Sequence, residues 1–356
     1  MNDLFFVNGR FLTQKLTGVH RYAFEMCCAL KEIGCNFIVL SPQNILADYS
    51  CPFEVRKIGK RSSHFWEQIE LPLYLRKNYK NSLLVNFTGL GSILHKRFIT
   101  TIHDVSFLIN PKWFSRFYYL WYKNITPIVA RKSLKIITVS NFSKNELISR
   151  LNISPAKIEV VYNAVSEKIA CEQDNLDLSQ KGNYILTVSS LDPRKNFIRL
   201  IEAFHLINQK NYKLYIAGKR DKVFTAQNYE KLNQSNIMFL GYVSDEELSH
   251  LYQNATIFVY PSLYEGFGIP NLEAMTNSCP VVTSNIPPHI EICQDAAVYF
   301  DPEDVNDIAS KMEMVINDLS LRQKLIENGK IRAKDFSWKK SAEKLMQIIN
   351  SEMKQH

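Results

Sequence analysis

The chain has 356 residues, of which 46% are hydrophobic and 22% charged, which excludes a disordered polymer and leaves room for two α/β domains. The net charge of +8 is unevenly placed: residues 1–165 carry 22 Lys/Arg against 10 Asp/Glu, and the remainder carries 21 against 25. The seven cysteines include no Cys-x-x-Cys spacing, no apolar run is long enough to span a membrane, and Met1-Asn2-Asp3 lacks a signal-peptide opening, so a soluble protein of a reducing cytoplasm is expected.

Short β-type runs alternate with longer helical patterns, the rhythm of a doubly wound parallel sheet. In the first half 4–8, 36–41, 82–87, 98–103 and 136–140 read as strands, and 20–33 and 143–151 as helices. A stretch dense in aromatics and cations, Lys112-Trp113-Phe114-Ser115-Arg116-Phe117-Tyr118-Tyr119-Leu120-Trp121-Tyr122-Lys123, suits either a membrane interface or a buried aromatic helix. The polar stretch 166–183 is the expected linker. Beyond it 184–189, 213–217, 237–240, 256–260 and 280–284 read as strands, and 197–208 and 245–253 as helices; a last helix covers about 337–353. The expected domains are therefore 1–168 and 180–336, two α/β lobes with ligands at the carboxyl ends of their strands.

The segment Glu265-Gly266-Phe267-Gly268-Ile269-Pro270-Asn271-Leu272-Glu273 carries the most chemistry. A strand, a glycine turn and a helix start meet there, aiming unpaired N–H groups and a helix dipole at one point, which suits a phosphate or diphosphate. Two carboxylates flank that point and can hold sugar hydroxyls. The strand 184–189 runs into Ser190-Leu191-Asp192-Pro193-Arg194-Lys195-Asn196, where two cations just before a helix are costly unless an anion neutralises them. Gly241-Tyr242-Val243-Ser244 follows another strand end. Gly241 leaves room for a nucleotide base near the main chain of Tyr242 and Val243, and Ser244 with Glu247 has capping-box spacing. In the first half His103-Asp104 ends a strand, placing an imidazole whose tautomer a carboxylate can fix. Gly18, in Gly18-Val19-His20-Arg21-Tyr22, stands where a helix begins, as in a backbone–phosphate contact.

In this order along the chain, these segments resemble the GT-B retaining glycosyltransferases of family 4. Glu265 to Glu273 resembles the family's Glu-x7-Glu motif, Arg194-Lys195 its phosphate-binding cations, His103 its first-domain histidine, Gly18 its glycine loop, and Val161-Tyr162-Asn163-Ala164-Val165 its domain junction. Asn271 departs mildly from the small or apolar residue common there. The resemblance implies two Rossmann-like doubly wound domains facing a cleft, the first binding the acceptor and the second the nucleotide-sugar donor, with a final helix, 337–356, crossing back onto the first.

It implies roles as well. Arg194 and Lys195 steady the departing diphosphate, Glu265 and the amides of Phe267, Gly268 and Ile269 contact the donor sugar and phosphates, and Glu273 holds the ribose. His103 lies near the sugar's 6-hydroxyl. Retention by same-face attack gives Glu265 a positioning role. No Asp-x-Asp occurs in the chain, so a metal-independent reaction with no cofactor besides the donor is expected. The expected enzyme moves a hexose, from GDP-mannose in preference to a UDP-sugar, to a lipid-linked glycan in O-antigen or capsule assembly at the inner face of the cytoplasmic membrane. The basic first half would meet anionic lipid there; nucleic acid is not expected, since no binding motif accompanies the charge. Two rival readings are epimerisation of a UDP-sugar and non-catalytic binding of a nucleotide sugar.

Overall fold

Thirteen strands in the described residues form two parallel sheets, and the chain divides into two compact units, Met1–Asn163 with Ser337–His356, and Ala164–Phe336. The structure is a computed structural model that describes residues 4–15, 18–46, 49–88, 90–170, 182–207, 211–218 and 236–354. Most of the expected linker lies outside the described residues.

The first unit contains β1 (Phe5–Asn8), β2 (Phe37–Ser41), β3 (Val55–Lys57), β4 (Leu84–Asn86), β5 (Phe98–Thr101), β6 (Lys135–Thr138) and β7 (Ile158–Val160). Their order is β3-β2-β1-β4-β5-β6-β7, so the winding direction reverses between β1 and β4. One face packs Phe6, Ile38, Leu40, Leu84 and Phe98 against Trp66, Leu71, Leu75 and Val129 from the helical segments beneath. Elsewhere in the unit the helix Gly18–Glu32 packs against the helix Trp338–Lys354, whose Ala342, Leu345 and Ile349 are buried. Ser341 Oγ donates to the Tyr162 carbonyl at 2.7 Å, and Arg97 Nη2 to the Glu352 carbonyl at 3.0 Å, fixing both ends of that last helix.

The second unit contains β8 (Gly182–Val188), β9 (Lys213–Ala217), β10 (Ile237–Gly241), β11 (Ala255–Tyr260), β12 (Val281–Ser284) and β13 (Ala297–Phe300), in the order β10-β9-β8-β11-β12-β13. Its reversal lies between β8 and β11. Successive residues of β11 point to opposite faces. Ile257 and Val259 join the core formed with the helices Phe197–Leu206 and Val305–Asn317. Phe258 lies on the other face, 5.3 Å from the Tyr252 ring of the helix Asp245–Asn254, and Tyr260 shares that face. Each such fully buried large side chain stabilises the unit by about 2–3 kcal/mol relative to exposure. Ser244 and Glu247 form the capping box that their spacing predicts, worth about 1 kcal/mol to the helix they begin.

Three short strands escape a reading by pattern: β3, β7 and β13 each lie at a sheet edge. Val55-Arg56-Lys57 and Ile158-Glu159-Val160 interleave charge with apolar residues because an edge strand is not covered on all sides. Among the described residues no helix is long and apolar enough to cross a membrane. The helix Arg116–Lys132 is not the buried aromatic helix that its letters allow. Phe117 is 78% exposed, and Tyr118, Leu120 and Trp121 also face solvent.

Candidate active site

In the second unit the chemistry gathers behind β8 and β11, the two strands on either side of the reversal. Their outgoing loops lie at the carboxyl edge of the sheet, the place where open α/β sheets bind ligands. After β8 the chain makes a 3-10 turn, Pro193–Lys195, started by Asp192, whose Oδ1 accepts from Arg194 N at 3.0 Å. Asn196 then takes a left-handed φ of 59°, which turns the chain into the helix Phe197–Leu206. After β11 the Glu265 loop ends at Gly268, whose φ of 94° allows the helix Ile269–Thr276 to begin abruptly. Leu263 N donates to the Arg194 carbonyl at 2.8 Å and ties the two loops together.

This tie brings the expected residues into contact. Lys195 Nζ donates to Glu265 Oε1 at 2.5 Å and to the Tyr260 hydroxyl at 3.1 Å, while Tyr260 OH donates to the same carboxylate oxygen at 2.7 Å. Lys195 and Glu265 are 6% and 8% exposed, so a narrow edge of the pair meets solvent. Burial alone would raise the Glu265 carboxyl; the charges of Lys195 and Arg194 prevail and hold it at about 2. Glu265 is therefore an anion at neutral pH and no candidate proton donor. Desolvation lowers the Lys195 ammonium against the pull of Glu265. The sequence reading that these cations need an external anion is corrected for Lys195, which Glu265 already neutralises. Arg194 is more open, its Nε 3.8 Å from Asp192 Oδ1.

Glu273 is 7% exposed on the helix Ile269–Thr276 and accepts from the Tyr252 hydroxyl at 3.0 Å on Oε2. Phe267 is buried, whereas Tyr242 is 75% exposed beyond Gly241, whose φ is 73° and whose surroundings hold nothing within 4 Å of the place a Cβ would take. Val243 is half-buried beside it.

Two side chains here, Tyr260 and His289, carried no sequence signal. Tyr260 reads as an ordinary strand residue, yet its hydroxyl completes the Lys195–Glu265 pair. His289 is fully buried, stacks on the Tyr260 ring at 5.2 Å and meets Thr283 Oγ1 through Nδ1 at 2.8 Å. Its Nε2, and both side-chain polar atoms of Asn271, are buried without a hydrogen-bond partner among the described residues. Both side chains crowd Gly268, where an added Cβ would lie 2.8 Å from His289 Cδ2 and 3.3 Å from Asn271 Nδ2.

His103 and Gly18 belong to the first unit. His103 follows β5, and its Nε2 lies 3.0 Å from the Phe87 carbonyl, which can only accept. That bond keeps the proton on Nε2, and burial lowers the imidazole pKa, so the ring is neutral with a lone pair on Nδ1. The tautomer is thus fixed by a carbonyl and not by the neighbouring carboxylate, because Asp104 Oδ1 accepts from Ser106 N at 2.8 Å to start the next turn. Gly18 opens the helix Gly18–Glu32 with nothing within 4 Å of its Cβ position, as a close backbone contact requires.

At the amino edge of the first sheet, a cavity of about 530 Å³ is lined by Arg76, Lys80, Lys96 and Arg97 together with the exposed Leu73 and Leu94. It lies at the edge opposite His103.

Residues 171–332 match the family described as glycosyl transferases group 1, and residues 16–168 match glycosyltransferase family 4. The chain is 34% identical over 262 residues to O-antigen chain mannosyltransferase B of Escherichia coli, covering 68% of this chain and 67% of that one. It is 27% identical to an O-antigen chain mannosyltransferase of Salmonella typhimurium, covering 84% and 87%. In fold it is similar to a sucrose-phosphate synthase from Thermosynechococcus elongatus, with a TM-score of 0.79, 17% identity and full coverage of both chains.

Proposed function

We propose that this chain, which belongs to the group 1, family 4 glycosyltransferases, transfers mannose from a GDP-linked donor to a lipid-linked glycan with retention at the anomeric carbon. The observation that carries this reading is the cluster of Arg194, Lys195, Glu265 and Tyr260 behind β8 and β11, where cations and a fixed carboxylate converge at a sheet reversal. The names of the two O-antigen relatives support mannose and a surface glycan.

In the proposed reaction the bond between the anomeric carbon and the diphosphate oxygen breaks, and a bond to the acceptor oxygen forms on the same face. The acceptor's proton passes to the departing phosphate oxygen, so no side chain needs to act as base. Arg194 and Lys195 stabilise the charge that develops on the diphosphate, a role in which fixed cations in a dry site act most strongly. They take the place of a metal ion, and the donor is the sole small molecule required. Glu265 holds donor hydroxyls, assisted by main-chain groups of Phe267, Gly268 and Ile269. Glu273 holds the ribose, and the base lies by Tyr242 and Val243. Gly18 approaches a phosphate, and His103 Nδ1 accepts from the sugar's 6-hydroxyl. The enzyme works at the cytoplasmic face of the membrane, where the groove of Arg76, Lys80 and Lys96 meets anionic lipid while Leu73 and Leu94 enter its surface.

The test is a thermal-shift series with GDP, UDP, ADP and CDP sugars, followed by NMR of the product formed with and without a mannose-terminated acceptor. Stabilisation by GDP-mannose and an α-linked product that forms with acceptor alone support the reading. An epimerised sugar produced without acceptor overturns it.

A further inference from the structure

The first unit has its own reversal, between β1 and β4, and a buried charged cluster stands at that point. Asn8 ends β1 and Asn86 ends β4. The Asn8 amide donates to Glu67 Oε1 at 2.8 Å and to Asn86 Oδ1 at 3.0 Å. Glu67 is fully buried, and three polar side chains surround its carboxyl group. Arg10 Nε lies 3.3 Å from Oε1 and His64 Nδ1 lies 3.4 Å from Oε2. Both are ion-pair distances without hydrogen-bond geometry, so the carboxyl faces Arg10 and His64 across short gaps while the Asn8 amide supplies its direct bond.

The backbone around Glu67 is tied from several sides. Glu67 sits in a π-turn, Trp66–Glu70, a rare geometry that occurs often at functional sites. Ser63, just before His64, has a left-handed φ of 59°. Trp66 Nε1 donates to the Ile58 carbonyl at 2.9 Å, Glu70 accepts from the amides of Lys60 and Arg61, and Gln68 bonds Gly91 and Ile93. The segment is therefore preorganised, and it presents the outer side of two polar groups. Arg10 turns Nε toward Glu67 and keeps 13% of its side chain exposed, and the His64 side chain is 45% exposed.

An aromatic surface adjoins them. The His64 ring lies 6.1 Å from Trp121, and Trp121 stacks on Phe117 at 6.4 Å and 13°. Trp121 is 37% and Phe117 78% exposed. Both belong to the first two turns of the helix Arg116–Lys132, which places them at the carboxyl edge of the sheet. Flat rings beside fixed donors and acceptors match a hexose, which has an apolar C–H face and a rim of hydroxyls.

We infer that this surface binds the acceptor glycan, with Trp121 and Phe117 covering the apolar face of one hexose while Arg10 and His64, both positioned by Glu67, hold its hydroxyls. The inference rests on the proposed transfer to a glycan. Exposed aromatics beside cations also suit a membrane, but a membrane contact has no use for a buried carboxylate network at the ligand-binding edge of a sheet. The glycan is the occupant that uses both halves of the site.

The test is saturation-transfer NMR on the full chain with free mannotriose as the probe. Wild type is expected to pass saturation to the sugar's C–H protons, and Trp121→Ala and His64→Ala to weaken this about fivefold or more, the scale of losing one such contact. Arg76→Glu, at the opposite edge, is expected to leave it unchanged. In transfer assays Glu67→Gln, which keeps the shape and the Asn8 contact, is expected to raise the acceptor KM about tenfold while kcat and the donor KM stay within about twofold. An equal loss in all three parameters removes the positioning role. Absence of saturation in wild type, or full saturation in both alanine variants, overturns the inference. So does loss of binding to phosphatidylglycerol vesicles by Trp121→Ala with mannotriose binding intact, which marks the row as a membrane contact. A wild-type enzyme that binds mannotriose but transfers no hexose contradicts the proposed reaction instead, so the two failures are distinguishable.

Discussion

Lys195 and Glu265 stand 70 residues apart in the chain and meet through a bond of 2.5 Å from Nζ to Oε1, with the Tyr260 hydroxyl on the same oxygen. The ammonium is thereby available to a diphosphate only as part of a neutral pair, and any anion that recruits it must compete with Glu265. Removing either partner strands the other charge in a nearly dry site. Lys195→Ala is expected to destabilise the second unit by about 3–5 kcal/mol and to lower kcat by about two orders of magnitude. The double variant Lys195→Met, Glu265→Gln is expected to regain most of the stability and none of the activity. Thermal unfolding and turnover, measured side by side, check both halves; near-normal turnover in Lys195→Ala would remove its role at the phosphates.

Arg194 separates the two effects, because it lies nearer solvent and its ion pair with Asp192 is long. Such a pair contributes about 0–1 kcal/mol to stability. Arg194→Ala is expected to leave the unfolding midpoint within about 2 °C of wild type, while kcat/KM falls about a hundredfold. Arg194→Lys, which keeps the charge but loses the fork onto two phosphate oxygens, is expected to recover part of that loss.

Burial holds the His289 imidazole at about 4, against an ordinary 6.5. The unfolded chain therefore takes up a proton at this residue well before the folded one does. Stability is expected to decline as pH falls from about 6.5 toward 4, by an amount on the order of 3 kcal/mol for this residue when the decline is complete. Between pH 7 and 5, above the range where Glu265 titrates, His289→Gln should lose less stability than wild type. Equal losses in the two proteins would show that His289 is not held neutral.

Gly268→Ala tests the turn that starts the Glu273 helix. The φ of 94° strains any other residue, and the new methyl would meet His289 Cδ2 at 2.8 Å. The expected cost is about 2 kcal/mol or more, together with weaker donor binding, seen by calorimetry with GDP-mannose. Unchanged binding would place the donor away from this turn.

For the cationic groove, Arg76→Glu combined with Lys80→Glu and Lys96→Glu is expected to abolish cosedimentation with phosphatidylglycerol vesicles. Wild-type binding should weaken steeply between low and about 0.5 M salt as screening grows. Binding that ignores both the substitutions and the salt would rule out an electrostatic contact.

The residues that the structure gathers at the second unit's candidate site could be picked out because glycines and charged residues interrupt its apolar strands at the points where the chain leaves the sheet. Glu265, Arg194 and Lys195 stand out for that reason, and Glu273 by its spacing from Glu265 across the glycine turn. Tyr260 and His289 did not, since a tyrosine in a strand and a histidine in a helix look the same whether they serve a core or a site. The Lys195–Glu265 contact depends on β8 and β11 being neighbours, a pairing between strands far apart in sequence that local pattern does not reveal. Glu67 was missed for a related reason: its π-turn leaves no periodic trace, and its partners come from 59 residues earlier in the chain, at Asn8, and through Asn8 from β4.

The helix Trp338–Lys354 completes the first unit although nearly all of that unit's chain precedes the second. During synthesis residues 1–163 therefore wait, with the apolar stripe of the helix Gly18–Glu32 uncovered, until this late segment leaves the ribosome, whereas 164–336 can close its own sheet earlier. A premature stop a few codons before Trp338 would leave the second unit's sheet whole and strip the helix Gly18–Glu32 of its cover.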